Sequence, residues 1–317
     1  MRYVLIDYMH LAHRCIVAEP LSVNVMINNE LTVVDTTIPN YTIKNIYKYS
    51  GNGLFHTGVF FEGGSEYRKN YFKEHGSEDG QGYKGDRAQQ KGSFYTGINL
   101  AMQLMSQGKV SLYRAAGYEA DDLIYNMILR IKETDTTTPI DVITNDADLL
   151  PLVDDQVSVY IRGTREYNED GCPTRRLYYQ VTPRSWEDYL SYSSAYKNFK
   201  IPYNSMLLFK LIRGDKSDNV AASVKGYGGK KYSILMEKMI EDGVDFPNVF
   251  RYGVDFDSVM KPVLSKYFAE DEVDKMKFVY GGIGLRKLPE NLKLGIPKQI
   301  DRGYLQQSLD FVKINLK

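Results

Sequence analysis

The stretch Gly117-Tyr118-Glu119-Ala120-Asp121-Asp122 places three carboxylates within four residues, directly after an apolar run and directly before a helical pattern. Like charges this close repel one another unless water, a helix dipole or a cation neutralises them. Residues 120–131 repeat apolar side chains at the i, i+3, i+4, i+7 spacing of an amphipathic helix. The three acids would then lie in the first helical turn, where the dipole favours negative charge. The stretch is therefore either a charged helix cap or part of a metal site.

Acidic residues also follow three other apolar runs that have the character of buried strands. The four runs cover residues 3–6, 57–61, 110–115 and 139–144. The acids that follow them, in order, are Asp7; Glu62; Glu119, Asp121 and Asp122; and Asp146 and Asp148. Because the carboxyl ends of parallel strands lie along one edge of an open sheet, where ligand sites form, these carboxylates should converge. A single acid at a strand end is an ordinary solvated turn residue, but four in succession indicate a bound cation.

The residue types in this cluster indicate which cation it would bind. Carboxylate oxygens without a neighbouring histidine or cysteine favour Mg²⁺ or Mn²⁺. A site this acidic predicts two ions about 3.5–4 Å apart, which together activate a water and stabilise the leaving oxygen in phosphodiester cleavage. Further along the chain, a helix is expected to end at Gly214, and Asp215 and Asp218 on the following turn could reach the same pocket.

The alternation of strands and helices predicts the fold class. It indicates an α/β domain over residues 1–182, with a central, mostly parallel sheet flanked by helices, followed by a helical region over residues 183–317. The helical pattern runs from Ser185 to the end of the chain. Three prolines are expected to break it, namely Pro202, Pro247 and Pro297.

Composition sets further limits on the class of protein. With 317 residues, 43% hydrophobic and 25% charged, the chain is expected to be soluble and globular, with a sizeable core. Cys15 and Cys172 lie too far apart for a zinc motif, and no apolar run approaches the roughly 20 residues that span a bilayer. The N-terminus reaches Asp7 too soon for a signal peptide, so we expect a cytoplasmic protein without a membrane partner. Forty basic and 40 acidic residues cancel, which argues against a nucleic-acid partner unless the acids are gathered in one pocket.

Two segments combine basic residues with glycine. The segment from residue 63 to about 91 is polar, and loops this long are uncommon in compact domains unless they are functional or disordered. A solvated loop remains the alternative there. The second segment, Lys225-Gly226-Tyr227-Gly228-Gly229-Lys230-Lys231, precedes a helix and would expose backbone N–H groups to a phosphate. On its own, such a turn is more often a plain loop than a phosphate site.

Six motifs follow one another along almost the full chain. They are Leu5-Ile6-Asp7 with His13-Arg14; Val59-Phe60-Phe61-Glu62-Gly63; Tyr83-Lys84-Gly85-Asp86-Arg87; Gly117-Tyr118-Glu119-Ala120-Asp121-Asp122; Asp146-Ala147-Asp148-Leu149-Leu150; and Gly214-Asp215-Lys216-Ser217-Asp218-Asn219. Together they resemble the 5′→3′ exonuclease and flap endonuclease family of PIN-like nucleases. Within that family the motifs resemble those of phage members such as the RNase H of T-even phages.

The resemblance implies roles for the acids. One Mg²⁺ would be surrounded by Asp7, Glu62, Glu119, Asp121 and Asp146. The second would lie among Asp148 and Asp218, with Glu119 or Asp215 nearby and partly through water. Asp122 would support the ligands from behind, and Mn²⁺ could replace Mg²⁺. Asp7 and Asp146 would be catalytic.

The resemblance also implies where nucleic acid binds. Residues 63–92 would form a helical arch above the pocket, from which Lys84 and Arg87 act as catalytic residues that neutralise the scissile phosphate. Residues 214–240 would form a helix-hairpin-helix-like motif that grips duplex phosphates without reading sequence. The implied nucleic-acid-binding residues are Arg14, Arg68, Lys84, Arg87, Lys216, Lys225, Gly226, Gly228, Lys230 and Lys231.

Two positions depart from the family pattern. Glu62 stands where most members carry aspartate, so the spacing between the metals and their ligands would change. Ser223 replaces the first glycine of the hairpin pattern, which argues against the K⁺ ion that such hairpins bind. The Gly226-Tyr227-Gly228 core of the turn is retained.

These inferences predict a Mg²⁺-dependent, structure-specific 5′ nuclease with RNase H activity that removes 5′ flaps and RNA primers in DNA replication. The expected partners are branched, flapped or nicked DNA and RNA–DNA hybrids, with a single-strand-binding protein or sliding clamp as further candidates. A monomer is expected, in the host cytoplasm if the gene belongs to a phage. Two alternatives stay open: a non-catalytic structure-specific DNA-binding protein, and an RNA-cleaving PIN-domain ribonuclease. The arch motif and the helical region after Asp215 argue against the second.

Overall fold

The computed structural model describes residues 1–15, 21–27, 30–75, 92–107, 109–167, 173–193, 195–215, 218–292 and 294–300. The chain divides into two compact units. Unit 1 comprises Met1–Gly63, Ala88–Thr144 and Pro289–Lys317, and unit 2 comprises Gly64–Arg87 and Asn145–Leu288. The units do not test the predicted division at residue 182, which stays a prediction.

The strands and helices are numbered along the chain. They are β1 (Tyr3–Asp7), α1 (Tyr8–Arg14), β2 (Ser22–Ile27), β3 (Glu30–Asp35), α2 (Thr37–Tyr49), β4 (His56–Phe60), α3 (Glu66–His75), α4 (Gly92–Gln107), β5 (Ser111–Tyr113), α5 (Ala120–Thr134), β6 (Ile140–Ile143), β7 (Val157–Tyr167), β8 (Pro173–Val181), α6 (Trp186–Tyr192), α7 (Met206–Arg213), α8 (Gly229–Glu241), α9 (Phe246–Val249), α10 (Lys261–Leu264) and α11 (Glu270–Ile283). Short 3₁₀ turns cover Ala147–Leu152 and Tyr203–Ser205, and Phe256–Met260 is a π-helical turn.

Unit 1 is built on four parallel strands. Strand β1 pairs with β4 on one side and β6 on the other, and β5 pairs with the far side of β4. The side chains of Leu5 and Ile6 are fully buried, as expected for parallel strands that are covered on both faces. The predicted α/β fold with a mostly parallel sheet flanked by helices is thereby confirmed. All four strands point the same way, so their carboxyl ends share one edge.

Helix α5 follows the predicted amphipathic pattern. Its apolar members, among them Leu123, Met127 and Ile131, are fully buried in unit 1. Helix α2 begins at Thr37 and ends at Tyr49. The hairpin of β2 and β3 is antiparallel and forms a separate two-stranded sheet.

Unit 2 contains the antiparallel hairpin of β7 and β8 and the helices from α6 onward, together with α3. The predicted helical C-terminal region is confirmed. Strand β7 extends from Val157 to Tyr167 and pairs antiparallel with β8. Among the described helices, none is long and apolar enough to cross a membrane.

Two details of the predicted helical pattern are wrong. Pro247 does not break a helix but lies in the first turn of α9, where a missing backbone N–H costs no hydrogen bond. The pattern also does not continue to the end of the chain, because the last described helix ends at Ile283 and the described residues from 284 to 300 form none. Pro297 lies in this extended stretch, and residues 301–317 lie outside the described part of the chain.

Candidate metal centre and nucleic-acid surface

Asp7 is held at the carboxyl edge of the sheet by two hydrogen bonds. It is the last residue of β1, and its Oδ1 accepts from the backbone N–H of His10 at 3.3 Å, which caps α1. Its Oδ2 accepts from the hydroxyl of Thr144 at 3.0 Å. Thr144 is fully buried and directly follows β6, so the ends of two neighbouring strands are tied together at this carboxylate.

The loop that carries Glu62 is bonded to the turn before Glu119. Gly63 donates from its N–H to the carbonyl of Tyr118 at 2.9 Å, and Gly117 donates to the carbonyl of Gly63 at 3.0 Å. A Cβ on Gly63 would lie 1.6 Å from the carbonyl oxygen of Ala115, so only glycine allows this approach. Two acid-bearing segments therefore lie side by side in unit 1.

The three acids of the stretch from Gly117 to Asp122 differ in burial and in their hydrogen bonds. Glu119 is the N-cap residue of α5, and Asp122 Oδ2 accepts from its backbone N–H at 3.3 Å. Asp121 Oδ1 accepts from the N–H of Asp122 at 2.7 Å. Asp122 is fully buried and Glu119 is 3% exposed, while Asp121 is half-buried. Glu119 and Asp122 together form the capping box of α5. A carboxylate buried as deeply as Glu119 is stabilised by opposite charge or by hydrogen bonds of this kind.

In unit 2, Asp146 and Asp148 follow β6 directly in sequence. Asp146 Oδ1 accepts from the N–H of Asp148 at 2.8 Å, which caps the following 3₁₀ turn. The two carboxylates each offer an oxygen within 4.8 Å of the other. Asp148 is 6% exposed, and its carbonyl oxygen accepts from the hydroxyl of Tyr252 at 3.0 Å.

Asp215 and Asp218 lie on a closed loop after α7. The N–H of Asp215 donates to the carbonyl of Val220 at 2.9 Å, and the N–H of Val220 donates back at 2.7 Å. Gly214 opens this loop with φ +67°, and a Cβ there would lie 2.3 Å from the carbonyl oxygen of Ala221. Asp218 is 5% exposed within the loop. The predicted end of the helix at Gly214 is confirmed.

One residue of this centre was missed by sequence reasoning. Lys210 in α7 is 4% exposed, and its ammonium donates to the carboxylates of Asp148 and Asp215. The signal was available, because a single lysine interrupts the apolar run of α7 shortly before two acids. The sequence pattern alone did not show that it points inward.

The phenol of Tyr196 lies close enough to these acids for them to affect its pKa, which is raised. Burial raises the pKa of Tyr196 most, and the nearby Tyr189, Asp215 and Asp146 raise it further. The phenol of Tyr196 therefore stays neutral and adds no further negative charge beside the carboxylates.

The predicted basic residues have different surroundings. Lys84, Arg87 and Lys216 lie outside the described residues. Arg68 in α3 is only 2% exposed, so a contact with DNA, which stays a prediction, requires its guanidinium to become accessible. Arg14 donates to the hydroxyl of Tyr49 at 3.4 Å, and its guanidinium lies 5.8 Å from the ring of Tyr41.

The hairpin turn presents three exposed lysines. Lys225 lies in the turn, and Lys230 and Lys231 lie in the first turn of α8. Gly226 has φ +74°, a conformation that side chains rarely adopt, and Gly228 is the N-cap of α8. A cavity of about 290 Å³ adjoins this turn, and it is lined by Tyr227, Lys231, Ile234, Leu235, Lys238, Lys266 and Tyr267. The lining contains three lysines and no acid.

The sequence matches a known family over more than half of its length. Residues 2–176 match the model of the 5′-3′ exonuclease, N-terminal resolvase-like domain. The chain belongs to this family.

Two curated proteins are similar to this 5′-3′ exonuclease family member. The 5′-3′ exonuclease of Mycoplasma pneumoniae is 28% identical over 200 residues, which cover 61% of this chain and 58% of that protein. DNA polymerase I of Caldicellulosiruptor bescii is 30% identical over 122 residues, which cover 38% of this chain and 12% of that protein. The matches thus cover little more than half of the first relative and a small part of the second.

Solved structures of a bacteriophage T5 protein share the fold. One, co-crystallized with metal ions, has a TM-score of 0.54 at 15% identity and covers both chains completely. Another is a flap endonuclease in a pseudo-enzyme-product complex with DNA and metal ions; it has a TM-score of 0.55 at 15% identity and covers 100% of this chain and 99% of that one. At this identity the likeness concerns the fold alone.

Proposed function

We propose that this protein is a metal-dependent 5′ nuclease that hydrolyses phosphodiester bonds in flapped or branched DNA. The proposal rests mainly on one observation, the burial of carboxylates beside the ends of strands and helices. Glu119, Asp148 and Asp218 are each no more than 6% exposed. Membership of the 5′-3′ exonuclease family supports the same reading.

The donor set fits a hard divalent cation. Its side-chain oxygens all come from carboxylates, which suits Mg²⁺ or Mn²⁺. We propose two Mg²⁺ ions, with Mn²⁺ as a substitute. The ligands would be Asp7, Glu62, Glu119, Asp121 and Asp146 for one ion and Asp148, Asp215 and Asp218 for the other. In the sequence, Asp146 lies two residues beyond Thr144, whose hydroxyl donates to Asp7.

The residues around the ligands fix their geometry. Bound divalent ions would supply the activation of water and the stabilisation of the leaving oxygen. Thr144 orients Asp7, and Asp122 holds the backbone of Glu119. Lys84 and Arg87 would neutralise the scissile phosphate from the arch, a role that rests on the family resemblance.

The hairpin turn would hold the duplex. Lys225, Lys230 and Lys231 are exposed beside the N-terminus of α8, where backbone N–H groups and the helix dipole favour phosphate. Such contacts position DNA without reading its sequence. Ser223 Oγ is buried, and it has no hydrogen-bond partner among the described residues. The substitution that argues against K⁺ in the sequence therefore also places a side-chain oxygen in the turn, and on this ground we include a K⁺ ion there in the proposal.

Removal of RNA primers during replication is a further part of the proposal. It would require cleavage of RNA–DNA hybrids as well as DNA flaps. A monomer in the cytoplasm, helped by a single-strand-binding protein or a sliding clamp, would suit this task. These points rest on the family resemblance.

A cleavage assay tests the proposal. End-labelled 5′ flap DNA and an RNA–DNA hybrid are incubated with the protein in Mg²⁺, in Mn²⁺ or in EDTA, with K⁺ or Na⁺ as the monovalent ion. Cleavage should require a divalent ion, be stronger in K⁺, and fall at least about a hundredfold in Asp7→Asn and Asp146→Asn, since each variant removes a charged ligand. Asp271→Asn, which changes an exposed acid paired with Lys275, should cleave like the wild type.

The substrate panel also separates the alternatives. Wild-type rates in Asp7→Asn or Asp146→Asn would contradict the metal assignment. Binding to forked DNA without cleavage in either ion would instead favour a non-catalytic DNA-binding protein. Preference for hairpin RNA over flaps and hybrids would favour a PIN-domain ribonuclease.

A further inference from the structure

Lys210 is a buried cation among the carboxylates of the candidate metal centre. It lies on α7, whose other residues from Met206 to Ile212 are apolar and buried. Its side chain is 5% exposed, and those of its partners Asp148 and Asp215 are 8% and 12% exposed. The ammonium donates to Asp148 Oδ1 and, at 3.0 Å, to Asp215 Oδ2.

Burial on this scale makes the three charges depend on one another. Removing an ion from water costs several kcal/mol, and the cost is recovered only if an opposite charge lies close by with good hydrogen bonds. Without the ammonium, Asp148 and Asp215 would be two buried like charges in one pocket. Lys210 therefore neutralises these two buried carboxylates, as a bound cation would.

The backbones that carry the two carboxylates are held by contacts that do not involve Lys210. Asp148 donates its N–H to Asp146 and accepts from the hydroxyl of Tyr252 at its carbonyl oxygen. Asp215 is bonded to Val220 in both directions through its backbone. Lys210, in contrast, carries its charge on a flexible four-carbon stem. If one member of the group moves, we expect it to be the ammonium.

We propose that Lys210 is an exchangeable counter-ion. Its ammonium neutralises Asp148 and Asp215 while no divalent ion is bound there, and it withdraws so that these carboxylates can accept one. The inference rests on the proposed function, because it takes Asp148 and Asp215 to be metal ligands. Lys210 is then a positioning residue that stabilises the metal-free protein and lowers the affinity of one of the two proposed metal sites.

Two measurements on Lys210→Met, made without DNA, test this inference. Methionine has a similar length without the charge. The first measurement is thermal unfolding in EDTA and in Mn²⁺, and the second is calorimetric titration with Mn²⁺. In EDTA the variant should unfold at a lower temperature than the wild type. Mn²⁺ should raise its unfolding temperature by more than it raises that of the wild type. The weaker of two Mn²⁺ sites should bind about tenfold more tightly, which corresponds to about 1.4 kcal/mol of relieved repulsion.

Matched variants separate a specific effect from a general one. Lys275→Met removes an exposed lysine that is also paired with an aspartate, at 3.1 Å, and should change neither the unfolding temperature nor the Mn²⁺ affinity appreciably. Lys210→Gln keeps amide donors without the charge. It provides the same comparison should Lys210→Met fail to fold in EDTA.

The outcomes distinguish this inference from the function on which it depends. Unchanged or weaker Mn²⁺ binding in both Lys210 variants, with normal binding by the wild type, would overturn the counter-ion role and leave the metal site intact. If Asp148→Asn and Asp215→Asn bind as many Mn²⁺ ions as the wild type, with equal affinity, the proposed ligands themselves are wrong.

Discussion

Single residues in this protein show how carboxylates take different roles according to their hydrogen bonds. Asp122 serves the start of α5, and Lys210 neutralises Asp148 and Asp215. Asp135 is a third case, and it is not one of the proposed metal ligands. It accepts hydrogen bonds from the backbone of Thr137 and Thr138 and closes the loop between α5 and β6. The side-chain hydrogen bond of Thr138, together with these backbone bonds, holds the pKa of Asp135 at about 2, below the ordinary 3.8.

The depressed pKa of Asp135 predicts a specific acid dependence of stability. The ionised carboxylate stabilises the fold fully above pH 3.8, and this contribution is lost as the pH falls through about 2. Asp135→Asn should therefore be less stable than the wild type at pH 7, and the difference should shrink towards pH 2. Urea unfolding at several pH values measures it. A difference that stays constant with pH would show that the charge of Asp135 is not responsible.

The residues of the candidate site were predictable where they follow apolar runs, since a charge at the end of a strand stands out in the sequence. Asp7, Asp146 and Asp148 were found in this way. Lys210 was not, because a lysine within an apolar helix is usually an exposed residue whose stem covers the surface. Its inward direction depends on the helix packing, which the sequence does not reveal.

At the scale of elements, the anchoring of α3 on α11 is the contact with the clearest consequence. Tyr71 and Phe72 of α3 lie against Gly281 and Gly282 of α11, and the hydroxyl of Tyr71 donates to the carbonyl of Phe278 at 3.2 Å. A Cβ on Gly282 would lie 2.1 Å from the ring of Phe72. The chain continues from α3 to Lys84 and Arg87, so this contact fixes where that segment begins.

Gly282→Ala should displace α3 from α11. The added methyl group overlaps an aromatic ring in a packed interior, which typically costs about 1–3 kcal/mol. We expect a lower free energy of unfolding in urea and, because Lys84 and Arg87 with their proposed role in catalysis follow this helix in sequence, a lower kcat on flap DNA. Gly295→Ala, where a Cβ would meet nothing within 4 Å, is the control. If both variants behave like the wild type, α3 is not anchored as described.

The elements differed in how well the sequence predicted them. The buried strands of unit 1 and helix α5 were found because continuous apolar runs and a regular helical spacing are strong signals. The described residues from 284 to 300 were wrongly assigned to a helix. Near Lys298 the backbone instead bonds to β4, and such long-range contacts leave no periodic pattern in the sequence.

At the scale of the whole molecule, unit 1 is assembled from both ends of the described chain. Thr57 of β4 donates its N–H to the carbonyl of Lys298 at 3.1 Å, and the ring of His56 bonds to the carbonyl of Pro297 at 2.9 Å. The hydroxyl of Tyr113 in β5 donates to the carbonyl of Gly295 at 2.6 Å. Both ends of the described chain thus contribute to the surroundings of β4 and β5.

Deletion of residues 294–317 should destabilise unit 1, since β4 and β5 lose these hydrogen bonds, each worth about 1 kcal/mol. Hydrogen exchange of the β4 and β5 amides and the urea midpoint measure the loss. Deletion of residues 301–317 alone keeps the bonded segment and is the matched control. Equal effects of the two deletions would contradict the role given to residues 294–300.

The hydrogen bonds that join Gly295, Pro297 and Lys298 to β4 and β5 have a consequence for synthesis on the ribosome. Domains generally begin to fold from the N-terminus as they emerge, but β4 here forms its bond to Pro297 only after 241 further residues have been translated. The strand that precedes Glu62 would thus gain this support long after it has itself been made. The proposed metal ligand Glu62 would then be held in place late in the folding of unit 1.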